Sequence, residues 1–265
     1  MLSARAIYRE IREDDRTFQL FISVAAAGEE QGGWENVRIA ELTRDEELSQ
    51  KVRRHGDDEH KHGRLFAALL RKRQLEEIDV PPEVNYTMLL EEQGIGLSHA
   101  RLKEDRFLSD EEIITYLVHS RVTEQRASEE VELQKRIFGD DPEIGRAIRM
   151  IADDEVNHLA YTHEELLRFC EQGHRARVQD MLAHYARVEV RTYRDVSLRV
   201  MRHMARCLGW SRPKFAVLAF GIHAIYAFER VWGWRRMTRL EAPARRNAMG
   251  PRARPWPQSE LLSSK

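Results

Sequence analysis

Apolar side chains recur at intervals of three, four and seven positions along the first part of the chain, which is the spacing of one face of an α-helix. Over residues 3–30 this stripe contains Ile7, Ile11, Phe18, Ile22 and Ala25. We expect the helix to end at Gly32-Gly33 and a short helical piece to follow. Only 14 glycines and 8 prolines interrupt the 265 residues, which favours long helices over many short strands. The pattern predicts an all-α protein.

Capping residues predict where the next helices begin. Thr43-Arg44-Asp45-Glu46 and Ser109-Asp110-Glu111-Glu112 both have the form of a capping box, and Asp141-Pro142 suits an N-cap followed by the first helical position. Gly139 is expected to end the second of these helices. The helices predicted from these signals and from the later apolar stripes run over about 46–77, 110–138, 142–170, 176–207 and 212–239.

The connection over residues 81–108 is long, and we expect it to be partly helical and broken at Gly94-Ile95-Gly96. The first four long helices would then form two hairpins joined by a crossover, which is one form of the four-helix bundle. We expect residues 1–172 to form this bundle. Residues 173–241 would form a helical extension that either packs on the bundle or makes a dimer interface. The proline- and arginine-rich residues 242–265 are expected to be disordered.

Two Glu-x-x-His motifs, Glu59 with His62 and Glu155 with His158, lie in the middle of apolar stripes. Residues three apart on a helix leave the same face, so each pair is expected to point into the core. A charged carboxylate in that position is costly unless it is paired or coordinates a metal ion. The placement of these pairs therefore indicates a metal site.

The other two helices each offer one carboxylate on a core stripe, Glu29 and Glu124. Each is followed, after 28 and 29 residues respectively, by Asp-Glu-x-x-His, so the chain contains Glu-x(28–29)-Asp-Glu-x-x-His twice. A helical hairpin with ligands at matching height needs about this separation. Glu30 is the rival to Glu29, but its stripe is more polar. Four glutamates and two histidines are expected to meet at one level.

This repeated motif resembles that of the ferritin-like dinuclear iron carboxylate superfamily, which includes ferritins, rubrerythrins, soluble acyl-carrier-protein desaturases, aldehyde-deformylating oxygenases and arylamine N-oxygenases. The resemblance covers residues 3–172 and implies a ferritin-like four-helix bundle. It implies two iron ions, with manganese as the alternative metal. The ligands that the resemblance implies are Glu29, Glu59, His62, Glu124, Glu155 and His158.

The resemblance also suggests roles within this set. Glu59 and either Glu124 or Glu155 would be among the bridging carboxylates, and Glu29 would be terminal. By the same analogy, Asp58 and Asp154 would accept hydrogen bonds from the second ring nitrogens of the histidine ligands and fix their tautomers.

His55 lies one helical turn before Glu59 and is either an extra ligand, a proton donor or a core histidine. Arylamine N-oxygenases carry an additional histidine before the second Glu-x-x-His, where this chain has Ile151. Tyr116 and Tyr161 lie on the same helices as the ligands and are either redox-active or ordinary packing residues.

Charge and composition restrict the partners. Lys and Arg number 43 and Asp and Glu number 44, so the formal net charge is −1, which argues against nucleic acid as the main partner. The two cysteines form no CxxC pair, which excludes a rubredoxin-type site. The longest apolar run, Phe215–Phe228, is shorter than the roughly 20 residues of a membrane span. With no apolar signal core at the start, the chain is expected to be cytoplasmic.

Within the superfamily, we expect an O₂-dependent di-iron oxidase or oxygenase that acts on a small, hydrophobic organic substrate. The reaction would be hydroxylation, N-oxygenation, desaturation or C–C cleavage, since one metal site serves all four. An electron-donor reductase and a homodimer are further expected partners. The alternative is ferritin- or rubrerythrin-like iron oxidation, storage or peroxide detoxification. The neutral charge disfavours a third option, a tRNA-modifying hydroxylase.

Overall fold

The computed structural model describes residues 3–240, and over this range the chain forms nine α-helices and no β-strand. The prediction of an all-α protein is confirmed. The helices are α1 (Ala4–Glu13), α2 (Asp15–Leu42), α3 (Glu46–Lys72), α4 (Tyr86–Glu92), α5 (His99–Leu102), α6 (Asp110–Phe138), α7 (Gly145–Phe169), α8 (Arg175–Cys207) and α9 (Arg212–Val231).

The four longest helices before residue 170 form two pairs. Helices α2 and α3 pack against each other along their length, as do α6 and α7, and α3 also contacts α7. Residues 73–109 lead from one pair to the other and contain the 3₁₀ turn Pro82–Val84 together with α4 and α5. The expected crossover is therefore partly helical.

The prediction that Gly32-Gly33 ends the first helix is wrong, because α2 continues through both glycines to Leu42. The break lies earlier, at Asp14, whose side chain accepts a hydrogen bond from the N–H of Thr17. A Cβ atom on Gly33 would lie 2.7 Å from Nδ1 of His60 on α3. The glycine thus permits close approach of two helices instead of ending one.

Other boundaries differ by several residues. Helix α3 begins after Asp45, which accepts from the N–H of Leu48, and not from a capping box at Thr43. It ends at Lys72, about five residues early. Helix α7 begins at Gly145 because Asp141 instead accepts from the N–H groups of a preceding turn. The capping box at Ser109 and Glu112 is confirmed at the start of α6.

Two apolar clusters fill the space between the paired helices. One contains side chains from the C-terminal part of α2 and the N-terminal part of α3, and the other contains side chains from the opposite ends of these helices. Glu59 and His62, for example, fall between Val52 of the first cluster and Phe66 of the second. The motif residues therefore occupy a polar layer between two apolar ones.

The chain after α7 continues through a π-helical turn over Cys170–His174, where Gly173 has a φ of 103°. Helix α8 packs against α6 and α4, and α9 packs on α8 along one side only. The other side of α9 exposes Val217, Phe220, Ile225, Phe228 and Trp232. Helix α9 ends at Val231, and a 3₁₀ turn covers the remainder of the helix expected up to residue 239.

None of the helices within residues 3–240 combines the length and the apolar character needed to cross a membrane. The disorder expected for residues 242–265 concerns a segment outside the described residues.

Candidate metal centre

Each of the four paired helices contributes carboxylates to the polar layer. Side-chain atoms of Glu29 on α2, Glu59 on α3, Glu124 on α6 and Glu155 on α7 line one common cavity. The histidines of the two motifs, His62 and His158, are buried beside them. The structure thus brings together all six residues that the repeated motif predicts as ligands.

The potential ligand atoms form two groups that share Glu59. One group contains His55, Glu59, Glu124 and His158, and the other contains Glu29, Glu59 and His62, with the atoms of each group within 4.8 Å of one another. A carboxylate has two oxygens and can bind one metal ion through each. Glu59 is therefore positioned to bridge two ions, as the resemblance implies. Glu155 lies beside the first group, with its Oε1 3.8 Å from Nδ1 of His158.

The two motif histidines, His62 and His158, have the same orientation relative to the carboxylates. Nδ1 of His62 lies 3.2 Å from Glu29, and Nδ1 of His158 lies 3.5 Å from Glu59. Each Nε2 points to an aspartate on the other Glu-x-x-His helix: His62 is 3.0 Å from Asp154, and His158 is 3.7 Å from Asp58. Each histidine is therefore faced by the aspartate of the other helix, His62 by Asp154 and His158 by Asp58. This arrangement leaves each Nδ1 available for a metal ion.

Lys61 connects these aspartates and was not identified from the sequence. Its Nζ lies 2.6 Å from Asp58 and 2.7 Å from Asp154. Burial disfavours the lysine cation, but the two carboxylates outweigh this effect and raise its pKa. The contact with His62, together with that with Lys61, holds the pKa of Asp154 below its usual range despite burial. The histidines and Lys61 thus together keep both aspartates ionised.

His55 faces the centre with Nε2, which lies 3.2 Å from Glu59 and 3.3 Å from Glu124. Its Nδ1 lies 2.7 Å from the hydroxyl of Tyr161, which is hydrogen-bonded in turn to the hydroxyl of Tyr116. The ring of His55 also stacks on that of His158, with centroids 3.8 Å apart. This geometry suits His55 as an additional nitrogen ligand, and the two tyrosines fix the orientation of its ring.

Several buried polar atoms at the centre have no hydrogen-bond partner, which is costly unless they bind something else. They are Glu155 Oε2, both ring nitrogens of His158 and Asp58 Oδ2. Nε2 of His158 and Oδ2 of Asp58 face each other at 3.7 Å, beyond hydrogen-bond distance, so Glu155 Oε2 and Nδ1 of His158 are the two atoms left for a metal ion. A set of carboxylate oxygens and imidazole nitrogens around unsatisfied buried atoms suits divalent iron or manganese. The residues therefore fit a pair of such ions.

The ionisation of the carboxylates reflects their crowding. Burial and the neighbouring Glu59 raise the pKa of Glu29 well above its usual range, and burial and Glu124 raise the pKa of Glu155 to about 7. Burial has the same tendency at Glu124, but His55 and His158 outweigh it and lower the pKa of that carboxyl. Glu29 is thus protonated at neutral pH and Glu155 is partly protonated, and bound metal ions would displace these protons.

A cavity of about 340 Å³ adjoins the carboxylates on the α2 and α6 side. Its apolar lining includes Val24, Val84, Leu90 and Val196, so it lies between α2, α6, α8 and the 73–109 connection. This volume lies within the range of small-molecule sites. A second, more polar cavity of about 270 Å³ reaches His55 and His158 from the opposite side and is lined by Lys51, Arg54 and Asp58.

The rival carboxylate Glu30 does not join the centre. It is exposed and lies 2.9 Å from Nδ1 of His60 on the surface between α2 and α3. The two candidates are adjacent in sequence and leave the helix in directions about 100° apart, and only Glu29, which continues the apolar stripe, lines the cavity.

Comparison of the chain with protein-family models, with curated proteins and with solved structures finds no match. The assignment to the ferritin-like superfamily therefore stays a prediction from the motif.

Proposed function

We propose that α2, α3, α6 and α7 form a ferritin-like four-helix bundle and that the protein is a dinuclear non-haem iron oxidase or oxygenase. The observation that carries this proposal is the position of Glu59, whose carboxylate belongs to both ligand groups. One shared carboxylate between two histidine-containing groups is the arrangement that two neighbouring metal ions need. Bound iron would supply the electrons for reducing O₂ so that a substrate is oxidised.

We assign metal binding, orientation of the histidine rings and substrate binding to the following residues of the chain. Glu29, Glu59 and His62 would hold one ion, and His55, Glu59, Glu124 and His158 the other, with Glu155 adjacent. Asp58 and Asp154 orient the histidine rings, and Lys61 helps to keep these aspartates charged. The largely apolar cavity beside the carboxylates would hold a small organic substrate and limit the access of water to it.

The test is to load the purified protein anaerobically with ferrous iron and to measure iron content and Mössbauer spectra. We expect two iron ions per chain and, after exposure to O₂, a coupled di-ferric signature. Mass spectrometry of products from a panel of apolar substrates would then identify the reaction. Glu59→Gln should abolish the paired signature, whereas Glu47→Gln, an exposed change on the same helix, should not. A wild-type protein that binds no iron pair would overturn the proposal.

Iron oxidation and storage is the alternative, and the polar cavity at His55 and His158 is the observation that favours it, since a hydrated ion needs a polar approach. The same loading experiment separates the two functions. Storage predicts uptake of many iron ions per chain and a large symmetric assembly, whereas the oxygenase takes up two and stops.

A further inference from the structure

His119 lines the cavity and is not accounted for by the metal centre. It lies on α6, five residues before Glu124, which corresponds to roughly 7.5 Å along the helix axis. Its Nε2 is buried and has no hydrogen-bond partner. Gly96 of the 73–109 connection is packed against the other side of the ring, where a Cβ atom would come within 2.5 Å of Nδ1. The connection therefore restricts the ring to its place on the cavity wall.

The imidazole of His119 is uncharged at neutral pH. Burial disfavours its cation and lowers its pKa to about 4. A neutral imidazole nitrogen can donate or accept one hydrogen bond, depending on the tautomer. A buried nitrogen of this kind without a partner is a typical feature of a site that recognises a polar group of a ligand.

The charges around the cavity argue against an anionic ligand. Among the described residues that line it, Arg126 is the only Lys or Arg, against five glutamates. The charge of Arg126 is already paired with two carboxylates: its guanidinium donates to Glu189 at 2.8 and 3.0 Å and to Glu229 at 2.7 and 3.0 Å, using four of its five N–H groups. Two bound divalent ions would be offset by the four negative charges of Glu29, Glu59, Glu124 and Glu155, so a carboxylate in this cavity would still be desolvated without a counter-ion, which is strongly unfavourable.

We propose that the cavity is a binding site for an uncharged molecule that has an apolar body and one hydrogen-bonding group, such as a hydroxyl or an amide, and that His119 is the positioning residue that holds this group. This inference rests on the proposed function in that it identifies the substrate class of the same site. With the polar group at His119, the apolar part of the molecule lies beside Glu124 and the other carboxylates.

Two probes with the same alkyl chain test the charge preference: 1-octanol and octanoate. Their binding is measured by calorimetry on anaerobically iron-loaded protein and on metal-free protein. We expect 1-octanol to bind and octanoate to bind at least tenfold more weakly. Equal or tighter binding of octanoate would overturn the proposal, as would the absence of binding by 1-octanol.

Substitution of His119 tests its role. His119→Phe keeps a ring without a polar atom and should weaken 1-octanol binding about five- to tenfold, the size of one lost hydrogen bond. His119→Gln keeps a hydrogen-bonding group and should restore most of the affinity. His184→Phe, an exposed change on α8, is the matched control and should have no effect. Unchanged binding in His119→Phe would exclude His119 as the positioning residue.

Iron content, measured on every variant, separates this proposal from the function it rests on. Two iron ions per chain without discrimination between the probes would refute the binding site alone. Discrimination between the probes in a protein that binds no iron pair would support the binding site and refute the di-iron function.

Discussion

His62 on α3 and Asp154 on α7 lie on different Glu-x-x-His helices, yet Nε2 of the histidine is 3.0 Å from the aspartate carboxylate. The reciprocal pair, His158 and Asp58, is 3.7 Å apart. Each motif thus supplies a histidine to the candidate centre and an aspartate that faces the histidine of the other motif. Under the proposed function, metal binding would be coupled to the packing of α3 on α7 through these contacts.

The first prediction concerns this pair. Asp154→Asn should weaken iron binding about 10- to 100-fold, because the amide no longer fixes the histidine tautomer as the carboxylate does. Equilibrium competition with a metal chelator measures the affinity. Asp153→Asn changes the adjacent, exposed aspartate and should leave it unchanged. Equal affinities for the two variants would exclude the orienting role of Asp154.

The second prediction concerns Lys61. Lys61→Met should lower the free energy of unfolding by about 1–2 kcal/mol, because Asp58 and Asp154 then lose their shared cation while remaining largely buried. Lys61 is one-third exposed, which keeps the effect below that of a fully buried ion pair. Urea denaturation measures it, with Lys72→Met at the exposed end of α3 as the control. A loss equal to that of the control would show that solvent screens the contact.

The third prediction concerns metal and stability. Ferrous iron or manganese should raise the melting temperature by several degrees, since an ion that binds only the folded state stabilises it by mass action. Glu59→Gln should abolish this rise because Glu59 belongs to both ligand groups. Glu30→Gln, a change in the rival carboxylate that faces solvent, should preserve it. Calorimetry of chelator-treated and metal-loaded samples provides the comparison, and a metal response that persists in Glu59→Gln would contradict the assignment.

The fourth prediction concerns pH. The pKa of His119 falls from about 6.5 in the unfolded chain to about 4 in the fold. Between these values the unfolded chain binds more protons, so the free energy of unfolding decreases as the pH falls through this range. The titration of His119 should therefore lower the free energy of unfolding by about 2 kcal/mol between pH 7 and pH 5.

His119→Gln should remove this pH dependence, so the free energy of unfolding of the variant should rise relative to that of the wild type by about 2 kcal/mol between pH 7 and pH 5. Urea denaturation of metal-free protein at pH 7, 6 and 5 measures it, and His184→Gln is the exposed control. A difference that does not vary with pH would show that the imidazole is not desolvated in the fold.

The fifth prediction concerns the apolar side of α9. Phe220 is 75% exposed and Phe228 is 59% exposed. An apolar face of this extent on a helix is typical of a subunit interface. The homodimer expected from the sequence should therefore dissociate in the double variant Phe220→Glu and Phe228→Glu. Analytical ultracentrifugation tests this, with His223→Ala on the same helix as the control. A wild-type protein that is monomeric at all concentrations would contradict the prediction.

The convergence of the side chains at the candidate centre was predictable from the sequence because polar residues interrupt the apolar stripes. A glutamate or histidine within an apolar helical stripe is costly to bury, so its presence there indicates a partner inside the core. Glu29 and Glu30 show how sensitive this reasoning is: they are adjacent, but only the first continues the apolar stripe, and only the first faces the centre.

Helix boundaries were less predictable. From the sequence alone, Gly33 is a plausible helix end. In the structure, its lack of a side chain allows His60 on α3 to approach closely. Lys61 was missed for a related reason. On α3 alone it is an ordinary lysine three residues after Asp58, and its second partner, Asp154, lies on a different helix.

The sequence by itself determined the helical class, the carboxylates and histidines that meet at the candidate centre and their common level, because the rise of a helix converts residue spacing into height. Only the tertiary structure decided which aspartate faces which histidine, how closely His55 approaches Glu59 and Glu124, and where His119 lies in the cavity wall. These relationships depend on how separate helices are rotated and spaced against one another, and the period of a single helix carries no information about that arrangement.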